Sequence, residues 1–227
     1  MKKGFTLAEV LITLVIIGVI AAMTIPALIN KTNEQETVVA VKKAYSTVSQ
    51  AYQKVIAENG EIDPSILGAA NEDATKSLGQ KFAKQLNAQK ICGQTAGGGC
   101  WANVMYKNFR GADWNNLETN GTDYLIQLSD GMSVAVYGYS TYQNIGNNEN
   151  LKNILGDLHV DINGAKGPNV IGKDVFEFYI TKNGILPAGV EGDNIFPLST
   201  CKVTGPACTA WIIAKGNMDY LRKDISW

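Results

Sequence analysis

The chain has 227 residues, 45% of them hydrophobic and 18% charged, with 20 basic and 21 acidic side chains and a formal net charge of −1. So near neutrality, and with no basic cluster beyond the first few residues, it excludes a nucleic-acid-binding surface as the main function. The length allows one globular domain of just under 200 residues besides a separate apolar segment, and no internal repeat divides it further.

That apolar segment comes first. Met1-Lys2-Lys3-Gly4 forms a short basic head, and from Phe5 to Ile29 the only ionisable side chain is Glu9. Twenty-five residues make roughly 37 Å of helix, enough to cross a hydrocarbon core of about 30 Å with some tilt. In lipid every peptide group must find its partner inside the segment, so a helix is the expected state. Lys2 and Lys3 predict that the amino terminus stays cytoplasmic while everything after Ile29 is exported. A secretory signal fits poorly, because its apolar region is about 7–15 residues and ends at a small-residue cleavage site. Here the run is longer, and Ala21-Ala22 is followed by Met-Thr-Ile. An uncleaved signal anchor is a second alternative.

Glu9 is the anomaly. A carboxylate inside an apolar span costs a few kcal/mol unless it snorkels to the headgroups or finds a partner. Cleavage after Gly4 supplies one, because the new α-amino group of Phe5 is a cation at similar depth. A neighbouring copy then pairs its amino terminus with Glu9, turning a penalty into an assembly contact.

Lys2-Lys3-Gly4-Phe5-Thr6-Leu7-Ala8-Glu9-Val10-Leu11-Ile12 resembles the class III signal of type IV pilins and type II secretion pseudopilins. The resemblance covers about the first 30 residues. It implies that a prepilin peptidase cuts between Gly4 and Phe5 and methylates the Phe5 amino group. It also implies that Glu9 is the assembly acid and Pro26 a helix-kinking proline, and that the partners are like subunits, an inner-membrane assembly platform and membrane lipid. The implied location is the bacterial inner membrane, with the carboxy-terminal domain periplasmic or extracellular, and a filament after assembly. The organisation expected is a leader over 1–4, an assembly helix over 5–29, its soluble continuation over 30–59 and an exported domain over 60–227. Removal of the leader takes away two lysines, leaving 18 basic against 21 acidic side chains.

Pro26 removes one helical hydrogen bond and bends the helix without ending it. Val38, Val41, Tyr45, Val48, Tyr52 and Val55 recur at alternating steps of three and four, an apolar stripe that suits the domain's own sheet better than a short coiled coil. Asn59-Gly60 supplies the stop. Thr75, Leu78, Phe82 and Leu86 predict one amphipathic helix, while Trp101, Tyr106, Phe109 and Trp114 read as core or loop anchors.

The rhythm of strands begins near Thr122: Asp123–Leu128, Met132–Tyr137, Leu158–Ile162, Val175–Ile180 and Ile185–Leu186, with turns at Ser129-Asp130-Gly131 and Asn183-Gly184 and an Asn-rich loop from Gln143 to Asn153. Short turns joining successive strands predict an antiparallel sheet, hence an α+β fold with the long helix packed on it. The residues from Ala210 to Tyr220 suit either a short helix or a last strand. Cys92 with Cys100, and Cys201 with Cys208, read as two local disulfides in an exported domain, each closing a loop worth roughly 2.5 kcal/mol.

One ion site is conceivable, the loop from Asp161 to Asp174, where Asp161, Asn163, Asn169 and Asp174 supply oxygen ligands of the kind calcium takes. Some proteins related to the pilin family bind calcium in such loops. The alternative, which we favour, is that Asp161 and Asn163 make Asx turns and Gly164 and Gly172 supply positive φ. No phosphate loop, nucleophile elbow or zinc-protease motif is present, and His159 is the only histidine, so the reading is not that of an enzyme. The two functional readings are a polymerising structural subunit and, alternatively, a membrane-anchored binding or adhesin domain that does not polymerise.

Overall fold

The structure, a computed structural model, describes residues 4, 6–64 and 73–227. The chain divides into two compact units, Met1–Glu36 and Thr37–Trp227. One helix, α1 (Leu7–Asn59), contributes to both. It contains Pro26 and stops at Gly60, whose φ of 75° and N–H bond to the Ile56 carbonyl (2.8 Å) make the left-handed cap that the Asn-Gly pair predicts.

In the second unit, six strands form one antiparallel meander in sequence order: β1 (Ala88–Gly93), β2 (Tyr124–Leu128), β3 (Ser133–Gln143), β4 (Ile154–Asp161), β5 (Val175–Thr181) and β6 (Gly184–Pro187). With α1 this is the expected α+β architecture. Each hairpin sets its own register. Gly131, at φ 89°, turns β2 into β3, and the Asp130 carboxylate takes the Met132 N–H while its other oxygen meets Lys43 of α1 at 2.7 Å. Because strand side chains alternate, alternate residues (Ile126, Val134, Val136, Leu158, Val160, Phe176, Phe178, Ile180) line one buried face. Val38, Val41, Val48, Tyr52 and Val55 of α1 pack in the same core, as the stripe predicts. Tyr45 stacks on Phe178 with ring centres 5.8 Å apart, and the Tyr52 hydroxyl donates to the Lys182 carbonyl at 2.7 Å.

The predicted amphipathic helix is α2 (Ala74–Gln85), capped by Asp73, which accepts from the Thr75 N–H. It burying Leu78 and Phe82 completely brings its Gly79 so near Tyr124 that any β-carbon there would meet the ring at 2.2 Å. A one-turn helix, α3 (Leu117–Asn120), precedes β2, and the segment after the second cysteine pair is a helix, α4 (Cys208–Lys215), ended by Gly216 in the left-handed region.

Several boundaries differ from the sequence expectation. The edge strand β1 was not foreseen: Ala-Gln-Lys-Ile-Cys-Gly has no clean alternation, and its pairing with β2 shifts register twice. The strand β3 continues six residues past Tyr137 to Gln143, and β4 begins at Ile154 rather than Leu158, so both strands run up to the polar loop, which lies where the sequence predicts it. Between them the register slips, Gly138 facing Gly156 but Gln143 facing Ile154, and this bulge hid the strand period.

Candidate functional site

At the amino-terminal end of α1 the geometry is a capping box. The Thr6 N–H and hydroxyl both donate to one Glu9 carboxylate oxygen (2.8 Å each), and the Thr6 hydroxyl accepts from the Glu9 N–H at 3.3 Å. The Thr-x-x-Glu spacing thus satisfies two amide groups that the first turn leaves open, and it gives Glu9 a local partner that the sequence reading did not assign. Beyond it, Leu7, Leu11, Leu14, Ile17 and Ile20 are all exposed. Thr13, Thr24 and Thr32 fold their hydroxyls back onto the carbonyls of Val10, Ile20 and Leu28, so their polar atoms are satisfied within the helix. A β-carbon at Gly18 would meet nothing within 4 Å, and beside it Ala21 and Ala22 keep the surface low. Gly4 is exposed. Phe5, the other half of the expected cleavage site, lies outside the described residues. Among the described residues α1 is the one helix long and apolar enough to cross a membrane.

Both disulfides join the expected partners, Cys92 to Cys100 and Cys201 to Cys208. The first closes a glycine-rich loop held from inside by Glu118, a buried carboxylate that accepts the Gly99 and Trp101 N–H groups. Sequence reasoning missed Glu118, since nothing in Leu-Glu-Thr-Asn marks the acid as turned inward. The second bridge is fully buried in the main core, beside Ile212.

The loop from Asp161 to Asp174 is braced by its own hydrogen bonds. Asp161 accepts the Asn163 N–H (3.1 Å) and the Tyr106 hydroxyl (2.8 Å), while the two Asp174 oxygens accept the Val170 and Asn169 N–H groups at 2.7 and 2.6 Å. Gly164 and Gly172 have φ of 65° and 84°. The bond from the Asn163 N–H to Asp161 is the Asx turn that the alternative described. Among the described residues no three His, Cys, Asp or Glu side chains come together as a metal set. Burial pushes the Asp161 carboxyl up to about 7 against the pull of Tyr106 and the Asn163 amide, and it raises Asp174 as well.

The same face of the sheet carries a set of buried or half-buried acids, each with an O–H or N–H donor. Tyr139 donates to Asp157 at 2.6 Å, Tyr179 to Asp193 at 2.9 Å, and His159 Nε2 lies 3.3 Å from Glu177, its direct cross-strand partner. The Trp114 ring sits 5.0 Å from the imidazole. Asp157 is pushed up to about 7, first by burial and then by the Glu177 charge. For His159 burial pulls downward, but Glu177, by charge and hydrogen bond, and then Asp123 and Asp157 outweigh it and lift the imidazole to about 9. His159 is thus a paired core histidine. Asp157, His159 and Asp161 stand at alternate positions of β4, the one signal that these acids share a face; a strand expected only from Leu158 leaves Asp157 out.

Comparison with known proteins bears on the first of these regions. Residues 1–25 match the family described as the prokaryotic N-terminal methylation motif, which is characteristic of type IV pilins and pseudopilins. No curated protein and no solved structure matches the chain.

Proposed function

We propose that this chain, which carries the prokaryotic N-terminal methylation motif, is a structural subunit of a pilus or of a secretion pseudopilus, cut after Gly4 by a prepilin peptidase and polymerised through α1. The observation that carries the reading is the coincidence of that motif with a helix whose large apolar side chains, among them Leu7, Leu14, Ile20 and Ile29, are exposed and whose apolar stretch holds a single acid, Glu9, in the first turn. Such a helix has one low-energy surrounding before assembly, lipid, and another after it, a bundle of like helices. Exchange between the two gains little hydrophobic energy, so close packing at Gly18, Ala21 and Ala22 and a polar contact at Glu9 must select the partner. Paired cysteines agree with a domain that matures in an oxidising compartment, outside the cytoplasmic membrane.

The Thr6–Glu9 capping box sharpens the part played by Glu9. In the single chain the carboxylate is already held by its own helix, so pairing with a neighbour's methylated amino group adds a charge to an acid that is positioned in advance. Glu9→Gln keeps a side chain able to cap the helix but removes the negative charge. It is expected to leave membrane insertion and both disulfides unchanged while the amount recovered in sheared filaments falls at least tenfold; unchanged recovery contradicts the pairing.

A further inference from the structure

We propose that the domain carries a binding cleft for a neutral saccharide, between the start of α2, the end of β1 and the bulged half of β3. The cleft measures about 550 Å³, within the range of small-ligand sites, and is broadly open to solvent. Its lining gives the class of ligand. Tyr137 and Tyr139 present rings set edge to face, 5.5 Å apart and inclined by 77°, and Tyr137 is 37% exposed. Around them stand the amides of Gln94 and Gln143, the Thr122 hydroxyl and the Asp73 carboxylate. Among the described residues no Lys, Arg or His lines the cleft, and the Asp73 carboxylate does, which argues against phosphate, nucleic acid or any other anion. Among the described lining residues Ala74 is the one aliphatic side chain, which argues against a lipid or an apolar peptide anchor. Aromatic rings flanked by amides, a hydroxyl and one carboxylate acceptor suit a ligand with apolar C–H faces and equatorial hydroxyls.

The cleft is also built in advance. Tyr139 is fixed from behind by its 2.6 Å bond to half-buried Asp157. Asp73 accepts from Gln94 at 2.6 Å while it caps α2, so the acid and the amide hold each other in place. Between the two tyrosines Gly138 lies flush against α2: its N–H donates to the Thr75 hydroxyl at 3.1 Å, and a β-carbon there would meet the Ala74 carbonyl oxygen at 2.6 Å. Gln94 is two residues from Cys92, inside the loop that the first disulfide closes. Little of the site has to be ordered on binding, which favours a measurable affinity for a small polar ligand. The inference stands on these residues alone and does not depend on polymerisation.

The test uses the full chain held in amphipol, since sugar-headed detergents would compete, on an array of neutral oligosaccharides that includes glucans, galactans and chitooligosaccharides. At least one class is expected to be retained. Tyr137→Ala should weaken that binding at least tenfold, Tyr137→Phe should preserve it, and Gln94→Ala should weaken it several-fold. Ile195→Ser, an exposed change outside the cleft, should have no effect. Near-ultraviolet circular dichroism checks that each variant is folded. Retention of no neutral glycan overturns the proposal, as does binding that survives Tyr137→Ala unchanged. Retention of basic peptides alone on a parallel array, lost in Tyr137→Ala, overturns the saccharide class.

Discussion

The His159–Glu177 pair makes the stability of the domain depend on pH in a direction that can be worked out. The imidazole lies in the sheet face with 12% of its side chain exposed, against a carboxylate that is 6% exposed, and the nearby acids Asp157 and Asp123 add to the field while Trp114 covers the ring. Folding lifts its pKa from 6.5 to about 9. A group whose folded pKa lies above its unfolded one stabilises the fold fully below the unfolded value and loses that contribution as pH rises through the folded value. The contribution, about 3 kcal/mol at most, is therefore whole below pH 6.5 and gone above about pH 9. Asp157 acts in the same sense at lower pH, since its carboxyl, lifted to about 7, must ionise in a buried site as pH rises. Urea denaturation of the full chain in detergent, followed by tryptophan fluorescence at half-unit steps from pH 6 to 9.5, should show the midpoint falling steadily across that range. All four cysteines are paired, so thiol exchange does not confound the alkaline points. In His159→Gln the decline toward pH 9 should be much shallower, leaving the part that Asp157 contributes. A midpoint that is flat or rising over that window, or an equal decline in the variant, refutes the reasoning.

Two further perturbations test the packing of the site. Replacing Glu118 by Leu keeps the size but leaves the Gly99 and buried Trp101 N–H groups without their acceptor, which should cost about 2 kcal/mol and speed hydrogen exchange at Trp101 well beyond its neighbours. Gly138→Ala drives a β-carbon into the Ala74 carbonyl group, backbone against backbone with no flexible side chain to yield, and should cost about 2 kcal/mol or more with an unchanged denaturant slope. If Gly138→Ala matches the parent protein in urea, the close approach of α2 to β3 is wrong.

What could be read from the sequence was what has a period or a motif. The stripe from Val38 to Val55 follows the helical repeat, so its burial against the sheet was legible, and so was the hairpin at Asp130-Gly131, where the turn chemistry is local. The cysteine pairs were legible because short loops leave few alternatives. The edge strand β1 was not, because half of its residues face solvent and its bulges break alternation. The bulge in β3 moved Tyr139 away from any simple strand pattern, and with it the cleft and the acid behind it. Glu118 and Asp193 were invisible for another reason: an acid that accepts peptide N–H groups across a turn has the same letter as one in water. Glu9 was recognised as exceptional, but its bond to Thr6, three residues away, follows from the Thr-x-x-Glu spacing and was overlooked in favour of a distant partner.

The central claim, that this chain is a processed and exported filament subunit, is tested most directly by top-down mass spectrometry of the native protein taken from membranes. The account predicts a chain that begins at Phe5, heavier by one methyl group and lighter by the four hydrogens lost to two disulfides. A chain that still begins at Met1, or one that begins after Ala22, contradicts it.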